Sequence, residues 1–310
     1  MSVISLNPSN GPNTITAIDF GVSNPKLGGT IDVSLYTSAS SITCAANSVT
    51  SIKLYTGSNN VLSVLSIIGN NLSSYPNLSN CNKLTSLTIG SNITPITEQI
   101  PQVNNHPLLV SYKAYTNGYG GCIPQLSGSS TLTYFEVPNL SLTGSIPSLQ
   151  YCSGSLISLY VQNNNLTGTI PDSISGCTKL VTFLADSNNL TGNIPNLSSL
   201  NRLNNINVSS NNLGGTLPDL ISCTSLRSFS VRSNNFTTFS GSFPTILTSS
   251  LQFNDNLLTQ TSVDNILSAS VVANGVSGSL NLGGSNSAPS ATGLTYKSTL
   301  ISRNWTVTTN

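Results

Sequence analysis

A chain of 310 residues with ten basic and nine acidic side chains, a net charge of +1 and only 6% charged positions is ample for a sizeable core but lacks the basic patch that nucleic-acid binding demands. Ser, Thr, Asn and Gly must cover most of its surface, as expected of an extracellular or virion protein rather than a cytosolic enzyme. No run approaches the ~20 apolar residues that span a bilayer, so no membrane insertion is expected.

The start, MSVISLNPSN, has neither the basic segment nor the long apolar segment of a secretory signal. With Met1 in place, the expectation is export by lysis or by assembly into a particle. Residues 1–40 contain TITAIDFGV and TIDVSLYT, alternating runs predicted as strands broken by Asn-Pro and Gly-Gly turns. They are less regular than the residues after them, which predicts an N-terminal cap over the first open edge. The repeats then occupy residues 41–258, with irregular early copies to about 105 that include the insertion TPITEQIPQVNNHP after Asn92.

The unit is clearest in Leu156 to Cys177, LISLYVQNNNLTGTIPDSISGC: a strand-like run, an asparagine, a Gly–Pro turn and a short apolar return. Aligned on the first leucine, copies start at Leu62, Leu84, Leu109, Leu132, Leu156, Leu180, Leu203 and Leu226, a period of 22 to 25 residues. A unit with one apolar side cannot bury it alone, so copies at this period must stack. One period-matched position reads Asn70, Asn92, Asn117, Leu140, Asn164, Asn188, Asn211, Asn234 and Asn256, with Asn47 and Asn24 earlier in the same phase. Buried asparagines there are expected to bond backbone groups of their own turn and of the neighbouring coil. Leu140 interrupts the row.

These features resemble the leucine-rich repeats, whose pattern is LxxLxLxxNxL. The segments Leu142–Pro147 (LTGSIP), Leu166–Pro171 (LTGTIP), Leu190–Pro195 (LTGNIP) and Leu213–Pro218 (LGGTLP) are similar to the plant-type subclass, which implies a second short strand after the turn. The fold class expected is a β-rich leucine-rich repeat solenoid with short 3-10 or irregular convex segments, capped at both ends. The resemblance also implies recognition ectodomains and polygalacturonase inhibitors as relatives in function.

Side chains alternate along a strand, so the residues beside the core positions are expected on the outer strand face. They are Ser86, Thr88 and Gly90; Ser111, Lys113 and Tyr115; Tyr134, Glu136 and Pro138; Ser158, Tyr160 and Gln162; Thr182, Leu184 and Asp186; Asn205, Asn207 and Ser209; and Ser228, Ser230 and Arg232. Lys113, Tyr115, Tyr134, Glu136, Tyr160, Gln162, Leu184 and Asp186 fall on four adjacent repeats and form the candidate ligand-binding face. Tyrosines among amides and carboxylates suit a peptide or glycan; the plainer alternative is that they keep an exposed strand soluble.

Residues 259–310 are predicted as a C-terminal cap. Val263, Ile266 and Leu267 have helical spacing, SLNLGG (279–284) reads as a strand, LTYKSTLISRN as a helix and WTVTTN as a final strand. The ending Asn304, Trp305, Thr306, Val307 resembles a C-terminal element of bacterial and phage proteins.

Cys81, Cys177 and Cys223 stand three residues before a repeat leucine and Cys152 four. These four are predicted to be buried as small hydrophobes, with Cys44 in a strand core and only Cys122 exposed. Free thiols are expected, Cys152 with Cys177 being the pair best placed to bridge. The ten Asn-x-Ser/Thr sequons arise in part because the repeat itself spells Asn-Leu-Thr. The single histidine, His106, is read as a surface loop residue, and no metal or phosphate motif occurs. Glu136 and Asp186, two repeats apart, are poorly placed as a catalytic pair. No cofactor is expected.

The sequence thus predicts a non-enzymatic binding or structural protein on a particle or cell surface. Its first form is a phage virion component, a fibre or capsid decoration adhering through the strand face to a protein or glycan, to other virion proteins or to copies of itself. The alternative is a secreted or cell-surface leucine-rich repeat recognition ectodomain or inhibitor.

Overall fold

The computed structural model describes residues 3–5, 15–21, 26–92, 99–115, 120–245, 250–273, 275 and 277–310. The chain forms two compact units, Met1–Thr143 and Gly144–Asn310.

The strands of the first unit are β1 (Val3–Ser5), β2 (Ala17–Phe20), β3 (Gly28–Asp32), β4 (Ser41–Ala45), β5 (Ser48–Lys53), β6 (Val64–Ile68), β7 (Ser86–Gly90), β8 (Ser111–Tyr115) and β9 (Tyr134–Glu136). Strands β2, β4, β6, β7, β8 and β9 form a parallel ladder in that order, while β1, β3 and β5 make a smaller sheet. Alternation places one side chain set inward. Leu65, Leu87, Tyr112 and Phe135 share one register position and are fully buried. The Tyr112 and Phe135 rings stack with centroids 5.2 Å apart, and the Tyr112 hydroxyl donates to Pro101 O at 3.1 Å.

The second unit holds β10 (Ser158–Tyr160), β11 (Thr182–Leu184), β12 (Thr191–Gly192), β13 (Asn205–Asn207), β14 (Asn212–Thr216), β15 (Ser228–Ser230), β16 (Asn235–Thr238), β17 (Ser250–Gln252), α1 (Gln260–Val272), β18 (Gly278–Asn281), α2 (Ala291–Ser302) and β19 (Trp305–Thr308). Here β10, β11, β13, β15, β17, β18 and β19 form the parallel ladder, and the small sheet β12–β14–β16 is a second strand set, formed by the Leu190–Pro195 and Leu213–Pro218 segments and by Asn235–Thr238 after them. Leu159, Phe183, Ile206, Phe229, Leu251 and Leu280 stack in register. Each buries about 1.5–3 kcal/mol worth of apolar side chain.

The ladder of each unit runs past residues 41–258. Before them β2 pairs in parallel with β4; after them β18 and β19 continue the register of β17, with α1 and α2 taking the place of the short returns. Thr259 caps α1 by accepting from Ser262 N, and Ser290 caps α2 by accepting from Gly293 N, each side chain meeting an N–H the helix leaves unbonded. Val263, Ile266 and Leu267 are the buried apolar face of α1.

Side-chain amides join successive coils. Asn188 Nδ2 donates to Val161 O of the preceding coil at 3.0 Å and to Ala185 O of its own at 3.2 Å, while Oδ1 accepts from Leu166 N at 3.0 Å. Asn211 repeats this with Ala185 O, Val208 O and Leu190 N. Asn234 does so with Val208 O, Val231 O and Leu213 N, and Asn256 with Val231 O, Phe253 O and Phe236 N. Asn164 donates to Val161 O and Gln162 O. In the first unit Asn47 and Asn70 bond the same way, to Phe20 O and Leu27 N and to Cys44 O and Val49 N. Asn92 accepts from Leu72 N at 3.4 Å, and its buried Nδ2 meets no acceptor. Asn24 and Asn117 lie outside the described residues; Leu140 fills its place as a fully buried side chain.

The residue before each of these amides lies in the left-handed region: Ala46, Ser91, Asn163, Ser187, Ser210, Ser233 and Asp255 have φ between 50° and 56°, and Gly69, before Asn70, has 67°. Residues other than glycine enter this region rarely. Here it is where the chain leaves the strand, with the next side chain buried, and the amide's bonds offset the cost.

Candidate functional site

In the first unit, β8 and β9 set Lys113 opposite Glu136 and Ser111 opposite Tyr134. Lys113 Nζ lies 3.1 Å from Glu136 Oε1, and the Tyr115 hydroxyl donates to Glu136 Oε2 at 3.2 Å. Burial pulls the Lys113 ammonium down, but the hydrogen bond and charge of Glu136 outweigh it and hold the pKa above the ordinary value. Burial, reinforced by the Glu136 charge, pushes the Tyr115 phenol up. These three residues satisfy one another, which leaves Tyr134, 39% exposed, as the ring open to a partner. Tyr115 needs a bare neighbour on β7. A Cβ on Gly90, where φ is +126°, would meet the Tyr115 backbone.

In the second unit, Tyr160 pairs in register with Leu184 across β10 and β11, and the row continues through Asn207, Ser230 and Gln252. Gln162 and Asp186 lie two residues beyond the ends of these strands and, like Tyr160 and Leu184, are half-buried. Gln162 Oε1 is a buried acceptor with no donor. Burial raises the Asp186 carboxyl above the ordinary carboxylate value, opposed by its own backbone N–H. Arg232 is exposed on the same face.

Not every residue of the expected outer face is open. Gly90, Ser158 and Ser209 are buried: Gly90 is covered by Tyr115, and Ser209 is tied down by its N and Oγ, both donating to Asn207 Oδ1.

His106 corrects the surface-loop expectation. It is 2% exposed, with Nε2 3.2 Å from Leu78 O. Its neighbours explain why: His106 N donates to Val103 O and Leu109 N to His106 O. The same two turn bonds hold Cys81 between Leu78 and Leu84, and Cys177 between Ile174 and Leu180. His106 stands three residues before a repeat leucine, as those cysteines do; that offset was the signal for its burial. Burial holds its pKa below the ordinary value of 6.5, partly opposed by the carbonyls of Leu78 and Val103.

All six cysteines are free thiols, and only Cys122 is exposed. Asn286 extends the amide row: it donates to Phe253 O and Leu282 O and accepts from Leu258 N. Among the described residues no group of three His, Cys, Asp or Glu side chains is arranged to hold a metal, and no helix is long and apolar enough to cross a membrane.

No family model matches the sequence, and no curated protein does either. Solved structures do. A plant peptide hormone receptor, RGFR1 in complex with RGF2, matches with a TM-score of 0.64 and 21% identity over 94% of this chain and 48% of its own. The ectodomain of the Arabidopsis thaliana receptor kinase GASSHO1/SCHENGEN3, in complex with CASPARIAN STRIP INTEGRITY FACTOR 2, matches with 0.63 and 22% over 84% and 32%. The PEPR1–AtPEP1 complex matches with 0.58 and 24% over 83% and 45%. The chain thus spans about a third to a half of the length of these proteins.

At these identities the likeness defines the fold. The chain has the leucine-rich repeat fold, and within it the plant-type form, with a parallel strand ladder and a second short strand set.

Proposed function

We propose that this chain is a non-enzymatic recognition module acting outside the cell, binding a peptide or protein segment along its strand face. The observation that carries the reading is the face of β10 and β11. Tyr160 and Leu184 form an apolar pair beside Asp186 and beside Gln162 Oε1, an acceptor with no donor. An extended segment laid across these strands would set a side chain against the tyrosine and leucine, and a small turn of the Gln162 amide would bring its Oε1 to a backbone N–H of that segment. The row onward through Asn207, Ser230 and Gln252 offers amides and hydroxyls to an uncharged extended segment. In the first unit the Lys113–Glu136–Tyr115 network is pre-organised, and the open ring of Tyr134 is a contact area of its own. The peptide hormone receptor complex among the similar structures supports this class of partner. Display on a phage particle draws no support from them.

The test is selection from a random linear peptide library with the full chain, followed by affinity measurement on variants. Tyr160→Ala and Gln162→Leu should each weaken the selected peptides by about tenfold or more. Tyr151→Ala, exposed outside the strands, should leave them unchanged. If nothing is selected, or the selected peptides bind both strand-face variants as well as wild type, the reading is wrong.

A further inference from the structure

The returns after β6 and β7 enclose a recess of about 270 Å³ in the first unit, away from the strand face. Its wall is rich in primary amides, Asn77, Gln99, Gln102, Asn104 and Asn105, with Tyr75 and His106 beside them. Among the described residues no Asp, Glu, Lys or Arg lines it. A hydroxyl both donates and accepts, and each amide offers both roles in return.

His106 adds a second observation. Leu78 O can only accept, so the hydrogen of the neutral ring is on Nε2, 3.2 Å away. Nδ1 therefore carries a bare lone pair, buried, with no donor reaching it. Buried acceptors are almost always paired; this one, in a residue that lines the recess, gains a donor when a ligand hydroxyl reaches it through a small shift of the ring. The volume lies just under the ~300 Å³ at which sites for drug-sized ligands begin, which suits one small ring.

We propose that this recess is a saccharide site that takes a single neutral sugar ring, with the amides at its rim as hydrogen-bond partners and a sugar hydroxyl reaching His106 Nδ1 after a small shift of the ring. It is distinct from the peptide-binding face and does not depend on it.

The structure supplies its own reporter. Gln99, in the recess wall, donates through Nε2 to Cys122 Sγ at 3.0 Å, and Cys122 is the exposed thiol. Neutral hexoses and N-acetylhexosamines would be tested by ligand-observed NMR, free in solution and as terminal residues of immobilised oligosaccharides. The alkylation rate of Cys122 would be followed in parallel. Binding of at least one free sugar, with slower Cys122 alkylation, is expected; binding only of immobilised sugars would identify a glycan end as the source of the same ring. Gln102→Leu and Asn104→Leu, both at exposed positions, should each weaken binding by about tenfold with unchanged denaturation midpoints. Tyr160→Ala should bind sugar as wild type does, which keeps this result separate from the strand-face reading. The proposal is overturned if no sugar of either form binds, or if binding survives both recess substitutions.

Discussion

Replacing Asn188 by alanine removes an amide that donates to Val161 O, Ala185 O and Asp186 O and accepts from Leu166 N. The losses are unequal. Val161 O keeps a donor in Asn164 Nδ2, Ala185 O keeps Asn211 Nδ2, and Asp186 O keeps the Asn163 N–H. The Leu166 N–H, in a fully buried residue, loses its partner. An orphaned buried donor costs about 1–3 kcal/mol and the other bonds about 1 kcal/mol net, so Asn188→Ala should destabilise by about 2–4 kcal/mol. That is a large share of the ~5–15 kcal/mol typical of a domain. Asn188→Asp separates the two roles of the side chain. Its carboxylate can still accept from Leu166 N but sets a charge against three carbonyl oxygens, so at pH 7 it should be less stable than the alanine variant, the gap closing at acid pH as it protonates. Urea denaturation measures both, and hydrogen exchange at the Leu166 amide should speed up first, because coils couple mainly to their neighbours. A loss below about 0.5 kcal/mol for Asn188→Ala, or an aspartate variant as stable as the alanine one at pH 7, would refute this account of the amide row.

The buried titratable groups give two further outcomes. Because burial holds His106 below its ordinary value, the unfolded chain takes up that proton first as pH falls. The stability His106 contributes is fully present above about pH 6.5 and is lost as pH drops towards the folded-state value, by at most about 1.4 kcal/mol per pH unit. The urea midpoint should therefore fall between pH 7.5 and 5, and His106→Gln should flatten that slope; a wild-type midpoint constant over the range would contradict it. Burial also raises the thiol pKa values of Cys81, Cys152 and Cys223 to about 11 and of Cys177 to about 12, and pushes Cys44 up. The native protein should show one fast-reacting thiol, abolished by Cys122→Ser, with the others appearing only on unfolding; two fast thiols would show that the returns open readily.

The coil pattern was legible because coils are matched in length where an amide must reach the carbonyl and N–H of the one before. The spacing of Asn164, Asn188, Asn211 and Asn234, 24, 23 and 23 residues, is the direct trace of that reach. Asn286 escaped notice because α1 lengthens its coil, placing it thirty residues after Asn256 although its bonds are the same. His106 was hidden by its polar neighbours Asn104 and Asn105, which face outward while it turns in. The strand face was legible as a set of residue types, but spacing cannot show that Glu136 is already engaged by Lys113 and Tyr115, nor that Gln162 Oε1 meets no donor among the described residues. Those facts depend on rotamers, which alternation along a strand leaves open.

The two helices of the last coils carry a consequence for engineering. Registration between coils is decided where each strand ends, so the outer wall behind it is exchangeable. The helix Gln260–Val272 occupies the place that a five-residue 3-10 turn, Asp172–Gly176, fills elsewhere, and the row of amides closes across both. Foreign segments grafted onto that wall should leave the inner strands undisturbed.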